Sequence, residues 1–92
     1  MEKEHLFVTV IGEDRKGIVA NISSFLYDSN INIEDINQKI MESYFVMTML
    51  VDMKDSKIPL ETVRAGLENI GKELGVLIQI QHENIFKMMH RV

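Results

Sequence analysis

The apolar residues of this chain alternate, then repeat at helical spacing, then alternate through two successive segments, repeat at helical spacing again and alternate once more. That order constrains the fold more than any other feature of the sequence. Alternation sends successive side chains to opposite faces of a strand, and recurrence at three and four residues collects them on one face of a helix. The first strand spans about residues 5–11, with Leu6, Val8 and Val10 on one face and Phe7, Thr9 and Ile11 on the other. The first helix spans about 15–29, with Ile18, Ile22, Phe25 and Leu26 as its buried stripe. Asp14 is placed to cap its start and Asn30 its end, because asparagine tolerates the left-handed conformation found there.

The second strand, about 31–41, is phased oddly. Ile31 and Ile33 share one parity, Ile36 and Ile40 the other. A bulge near Glu34 and Asp35 would return all four to one face. The third strand, about 43–53, is apolar on both faces, as expected of a central strand whose second face is also partly covered. Residues 54–57 form a loop, and Pro59 opens the second helix, where its missing N–H costs nothing. Leu60, Val63, Leu67, Ile70 and Leu74 make the stripe of that helix. Gly66 and Gly71 each weaken it by about 1 kcal/mol relative to alanine. Close approach of the two helices accounts for Gly71; the sequence offers no reason for Gly66. Gly75 ends the helix. The fourth strand, about 76–82, aligns Val76, Ile78 and Ile80. Residues 83–91 read as a short terminal helix, with Ile85, Met88, Met89 and Val92 spaced to share a face.

The order β-α-β-β-α-β predicts an α+β domain, the ferredoxin-like plait: a four-stranded antiparallel sheet with two helices on one face, here followed by a short C-terminal helix. The 92 residues suit a single domain, 1–92, with its core in about 5–82 and an extension over 83–92. The sheet face opposite the helices is left bare. Phe7, Ile11, Tyr44 and Leu50 are candidates for it, and a partner subunit or the terminal helix is its expected cover.

Composition excludes several classes. A net charge of −4, with no basic run, argues against a nucleic-acid partner. No apolar run approaches the length of a membrane span, and the charged start of the chain lacks the apolar centre of a secretion signal. There is no cysteine, hence no disulfide, thiolate nucleophile or cysteine-based metal site. These features fit the cytoplasm. His5, His82 and His90 have no metal-ligand spacing within one element, so no metal is expected. Met47, Met49 and Met53 read as core packing rather than soft-metal ligands. No paired catalytic carboxylates, nucleophile elbow or phosphate loop is present, and no catalysis or cofactor is expected.

The segment from Val10 to Val19 carries the chemistry. A strand feeds a helix through a short polar turn, with Gly12 and Gly17 at its ends. The first N–H groups of a helix have no intrahelical partner, and the helix dipole favours a carboxylate or phosphate beside them. The plain alternative is that the glycines serve only the geometry of the turn.

The run Val10-Ile11-Gly12-Glu13-Asp14-Arg15-Lys16-Gly17-Ile18-Val19, followed by Asn32-Ile33-Glu34-Asp35-Ile36 and the apolar hairpin, resembles the ACT domain over about residues 5–82. The full length resembles stand-alone single-ACT proteins of the UPF0237 type. The resemblance implies an oligomeric regulatory module that binds an amino acid or related carboxylate. It places the ligand between the first loop of one subunit and strand two of its neighbour. By the same resemblance the ligand-binding residues are Gly12, Asp14, Lys16, Gly17, Ile18, Val19, Asn32 and Asp35, with Lys16 standing where many ACT sequences carry proline. The expected partners are a small-molecule ligand and a second copy in a homodimer or higher oligomer. An interaction subunit with a vestigial ligand site, serving a protein partner, is the alternative. A small acylphosphatase-like enzyme is a weaker one, since Ala20 and Asn21 stand where that family's Phe and phosphate-binding Arg belong.

Overall fold

The elements follow in the expected order in the computed structural model, which describes residues 4–89. They are β1 (His5–Glu13), α1 (Ile18–Asp28), β2 (Asn32–Met41), β3 (Tyr44–Asp52), α2 (Leu60–Leu74), β4 (Leu77–His82) and α3 (Glu83–Met89). The sheet order is β2-β3-β1-β4, with every neighbouring pair antiparallel. β1 and β3 are therefore central and β2 and β4 are edges.

Register explains the burial. Leu6, Val8 and Val10 of β1 lie opposite Val51, Met49 and Met47 of β3, and Val8 and Val10 also lie opposite Ile80 and Ile78 of β4. These residues are buried against Ile18, Ile22 and Leu26 of α1 and Val63 and Leu67 of α2. The other face carries Phe7 opposite Leu50, Ile11 opposite Val46 and Leu77, and Glu13 opposite Tyr44. Nothing among the described residues covers all of it: Ile11, Tyr44 and Leu77 are 42%, 52% and 55% exposed.

The bulge inferred from parity is present. The β2–β3 register shifts between Ile33 and Asp35, so that Ile33, Ile36 and Ile40 face Val51, Met49 and Phe45 on the helix side. Even so, Ile36 and Ile40 remain 40% and 54% exposed. The bulge restores their face, but β2 is an edge strand and the helix layer does not reach far over it.

Several expectations need correction. β1 does not stop at Gly12 but continues to Glu13, which pairs with Tyr44. Helix α1 starts at Ile18 rather than near residue 15. Its N-cap is Gly17 in the left-handed conformation, φ 89°, and not Asp14. The end of α1 follows the expected chemistry: Ser29 is the C-cap, Asn30 takes φ 61°, and the Asn30 and Ile31 N–H groups donate to the Tyr27 and Leu26 carbonyls.

The glycine assignments in α2 are exchanged. A Cβ on Gly66 would lie 2.3 Å from Cζ of Phe25 in α1, so Gly66 is where the helices approach. A Cβ on Gly71 would meet the Val76 carbonyl at 2.8 Å and the Ile78 side chain, so Gly71 serves helix-to-strand packing. The terminal helix begins against β1 and β4, yet Ile85 and Met88 are 44% and 70% exposed. Its stripe is not buried in this chain through those two residues. The Met89 side chain and residues 90–92, including His90 and Val92, lie outside the described residues.

Candidate functional site

The loop between β1 and α1 is held at both sides. The Asp14 N–H donates to the Ser43 carbonyl at 3.1 Å, tying the loop to the β2–β3 hairpin. The Arg15 guanidinium donates to the Leu74 carbonyl at the end of α2, where the helix dipole favours a cation. These contacts use up residues 14 and 15 and delay the helix until Ile18.

Gly17 then enters the helix. Its carbonyl accepts the first helical bond, from the Asn21 N–H at 2.9 Å, and a second from Asn21 Nδ2 at 2.6 Å. No side chain caps the helix start, and no acidic residue lies in its first turn. The N–H groups of Ile18, Val19 and Ala20 precede the first helical bond and lack intrahelical partners. Ile18 is buried, Val19 is half-buried, and Asp14 and Lys16 are exposed. Lys16 makes no hydrogen bond or ion pair among the described residues.

Gly12 has a packing reason of its own. A Cβ there would lie 2.6 Å from Val76 Cγ1, closer than real Cβ atoms come, and 3.1 Å from the Val76 Cα, a tight contact with backbone. Gly12 is therefore favoured by Val76, just before β4, and Gly17 by its positive φ.

The eight residues singled out in the sequence do not converge within one chain. Gly12, Asp14, Lys16, Gly17, Ile18 and Val19 gather at one end of the sheet. Gly12 is opposite Phe45, while Asp35 is opposite Leu50 and Asn32 opposite Asp52. At about 3.3 Å per residue, Asp35 and Asn32 lie roughly 17 and 23 Å further along β3.

Asn32 borders a cavity of about 220 Å³ with Tyr27, Asn30, Ile31 and Asp55, beside the C-terminal end of α1. Asn30 Nδ2 closes that corner by donating to the Asp55 carbonyl at 2.9 Å. Asp35 faces the bare side of the sheet, where it borders a depression of about 350 Å³ with Phe7, Asn37, Thr48, Met49 and Leu50. Its Oδ1 accepts from the Ile36 N–H at 2.9 Å.

A polar group that sequence reasoning missed lies at the far end of β1, around His5 and Asp52. Burial would push the Asp52 carboxyl up. Hydrogen bonds from the Glu4 and Lys54 N–H groups, at 3.0 and 2.9 Å, with the charges of His5 and Lys54, outweigh burial and hold it below its ordinary 3.8. His5 meets the carboxylates of Glu34 and Glu83. The hydrogen bond to the Glu34 carboxylate is the main cause that raises His5 above 6.5; burial opposes it, and Glu83 adds to the rise. No spacing within one element signals this group, because its members come from β1, β2, β3 and α3. Among the described residues no group of three or more His, Asp or Glu side chains could hold a metal ion. No described helix is long and apolar enough to cross a membrane.

Comparison with known proteins is consistent across sequence and structure. The profile of the ACT domain matches residues 4–81. A UPF0237 protein of Methanocaldococcus jannaschii is 53% identical, over 92% of this chain and 94% of its own length. An ACT domain protein from Streptococcus pneumoniae has a solved structure that superposes with a TM-score of 0.80 at 35% identity, covering 92% of this chain and 96% of that one. The regulatory subunit of aspartate kinase from Thermus thermophilus shares the fold, with a TM-score of 0.66 at 22% identity over 85% of this chain and 50% of its own.

Proposed function

The chain belongs to the ACT domain family, and on that premise we propose that two copies of it form a non-catalytic, regulatory binding site for an amino acid or related carboxylate. The observation that carries this reading is the separation of the two halves of the site. The loop and Asn32 lie at opposite ends of the sheet in one chain. Among the described residues no strand pairs with the outer edge of β2, and Ile36 and Ile40 are exposed beside it.

Antiparallel pairing of two β2 edges about a twofold axis sets the start of one β2 beside the end of the other. Such an interface is self-complementary, as a symmetric dimer requires. Asn32 of one copy then approaches the hairpin that holds the partner's loop through Ser43. The ligand carboxylate lies against the N–H groups of Ile18 and Val19 at the start of α1, where the dipole stabilises it. Gly17 lets the backbone come close, and Lys16 and Asp14 flank the entrance. The ammonium is met by acceptors on the other copy, the Asn32 side-chain oxygen and Asp55. Asp35 faces the other side of the sheet and takes no part in this arrangement.

The ACT domain match over residues 4–81 supports a regulatory role. The bare sheet face favours the second reading, an interaction subunit that serves a protein partner.

The test begins with a thermal-shift screen of the common amino acids, since a ligand that binds only the folded state raises its stability. One or a few should raise the melting temperature. Two variants should each lose that response, Lys16→Glu by repelling the carboxylate and Asn32→Ala by removing an acceptor. Gly17→Val is unsuitable, because any side chain is strained at φ 89°. Mixing the two variants should restore binding, since each mixed dimer has one site with both halves intact. Wild-type chain indifferent to every amino acid would favour the interaction subunit. Loss in both variants without recovery on mixing would place the site within one chain.

A further inference from the structure

His5 faces the bare side of the sheet, on the same face as Phe7. Its Nε2 lies 3.1 Å from Glu34 Oε1, and its Nδ1 lies 3.3 Å from Glu83 Oε2. Glu34 is the extra residue of the β2 bulge, and Glu83 is the first residue of α3. One imidazole ring therefore joins β1, β2 and α3.

A neutral imidazole carries one N–H and one lone pair, and only the imidazolium donates from both nitrogens. With a carboxylate at each nitrogen, the arrangement is satisfied only when the ring is charged. In the neutral ring one nitrogen turns a lone pair toward a carboxylate, and that contact becomes repulsive. The surroundings reinforce this. Asp52 lies opposite His5 on β3 and adds a third negative group, with Lys54 as the cation near it. The carboxylate of Glu4, just before β1, is 3.4 Å from Nε2 of His82 at the end of β4.

We infer that His5 is a proton-operated clasp that fastens the start of α3 to the bulge of the edge strand β2. The inference is independent of any ligand. Helix α3 has only 7 residues, and a helix that short does not persist without tertiary contacts. Ile85 and Met88 are exposed, and the first turn is held by the Glu83 contact with His5 together with the Asn84 N–H, which donates to His82 Nδ1 at 3.1 Å. The raised pKa sets the direction. The clasp is fully closed below the unfolded value of about 6.5, and it opens as pH rises through the higher folded value. Its opening frees the β2 bulge and α3 from one another, next to the depression that Phe7 borders.

The experiment uses the whole chain. The His5 ring is titrated by NMR from about pH 5 to about pH 9, and amide hydrogen exchange of α3 is followed over the same range, corrected for intrinsic rates. Protection of the α3 amides should fall about tenfold or more, with the midpoint of the His5 titration. Protection of β1 and β3 should not change. In His5→Gln, α3 protection should be low at every pH, because glutamine cannot carry the charge. Glu83→Gln should lower the His5 pKa and abolish the coupling while leaving the sheet intact. His82→Gln removes the acceptor of the Asn84 N–H and should lower α3 protection at every pH, while the transition at the His5 midpoint persists. Protection that stays constant through the His5 titration overturns the inference. So does the same fall in both His5→Gln and Glu83→Gln, or its loss in His82→Gln.

Discussion

β1 and β2 both carry branched aliphatic residues on the face toward the helices, yet they meet opposite fates. Leu6, Val8 and Val10 of β1 are fully buried, while Ile36 and Ile40 of β2 are 40% and 54% exposed. The isoleucines of β2 face the right way, opposite the buried Met49 and Phe45. Position in the sheet makes the difference. β1 lies between β3 and β4 beneath both helices, whereas β2 is an edge on which only α1 packs. An exposed edge strand invites pairing with another chain, and natural proteins blunt such edges with charge, bulges or cover. β2 has a bulge at one end and Lys39 near the other, but carries exposed isoleucines on either side of Lys39. An apolar pattern thus means core in β1 and an exposed apolar edge in β2, the edge through which the proposed dimer would pair.

The largest test of this contrast compares truncations in the two strands. Leu6→Ala in β1 should lower unfolding stability by about 2–5 kcal/mol, the cost of a buried cavity. Ile40→Ala in β2 should cost less than about 1 kcal/mol in dilute, dissociated protein. Urea unfolding with unchanged slope measures both, and equal losses would break the contrast.

A smaller effect is expected where the two strands share a support. Asp52 of β3 lies opposite His5 of β1 and Asn32 of β2, and its carboxylate accepts from the N–H groups of Glu4 and Lys54. Asp52→Ala leaves those donors without their acceptor, at a cost of about 1–3 kcal/mol. Because the folded pKa of Asp52 is lowered, its contribution is present above about 3.8 and is lost as pH falls through the folded value. The gap between wild type and variant should therefore narrow in acid. A gap independent of pH would remove the charge from the explanation.

The smallest effect on the isolated fold, and the sharpest on assembly, should come from Ile36→Lys combined with Ile40→Lys. Light scattering at micromolar concentration should report at least twice 10.6 kDa for the wild type and 10.6 kDa for the double variant, with far-UV circular dichroism unchanged. If the double variant still associates, the bare sheet face carries the interface instead, and substitutions at Ile11 and Leu77 would be the next to make.

Much of the architecture was legible because it follows from local rules. Element order came from periodicity, and the bulge came from the parity change between Ile33 and Ile36. The ends of α1 and α2 came from residues that tolerate left-handed backbone, Asn30 and Gly75. The site was legible as a loop but not as a place. Asp14 read as a cap because its type suits that role, but the Ser43 carbonyl holds its N–H and the helix starts at Gly17. Gly12 read as a ligand-approach glycine, whereas Val76 already crowds a side chain there.

Periodicity, turn chemistry and composition act through neighbours within about one helical turn or a few strand residues, so the sequence by itself determined the elements, their order, the buried faces and the absence of cysteine chemistry. Contacts between residues far apart in the chain depend on how those elements stack, and no local pattern encodes them. Only the tertiary structure decided that Gly66 receives the Phe25 ring, that Asn32 lies across the sheet from the loop, and that β2 is an edge. It also brought Glu34 and Glu83, 29 and 78 residues from His5 along the chain, to the two nitrogens of one ring.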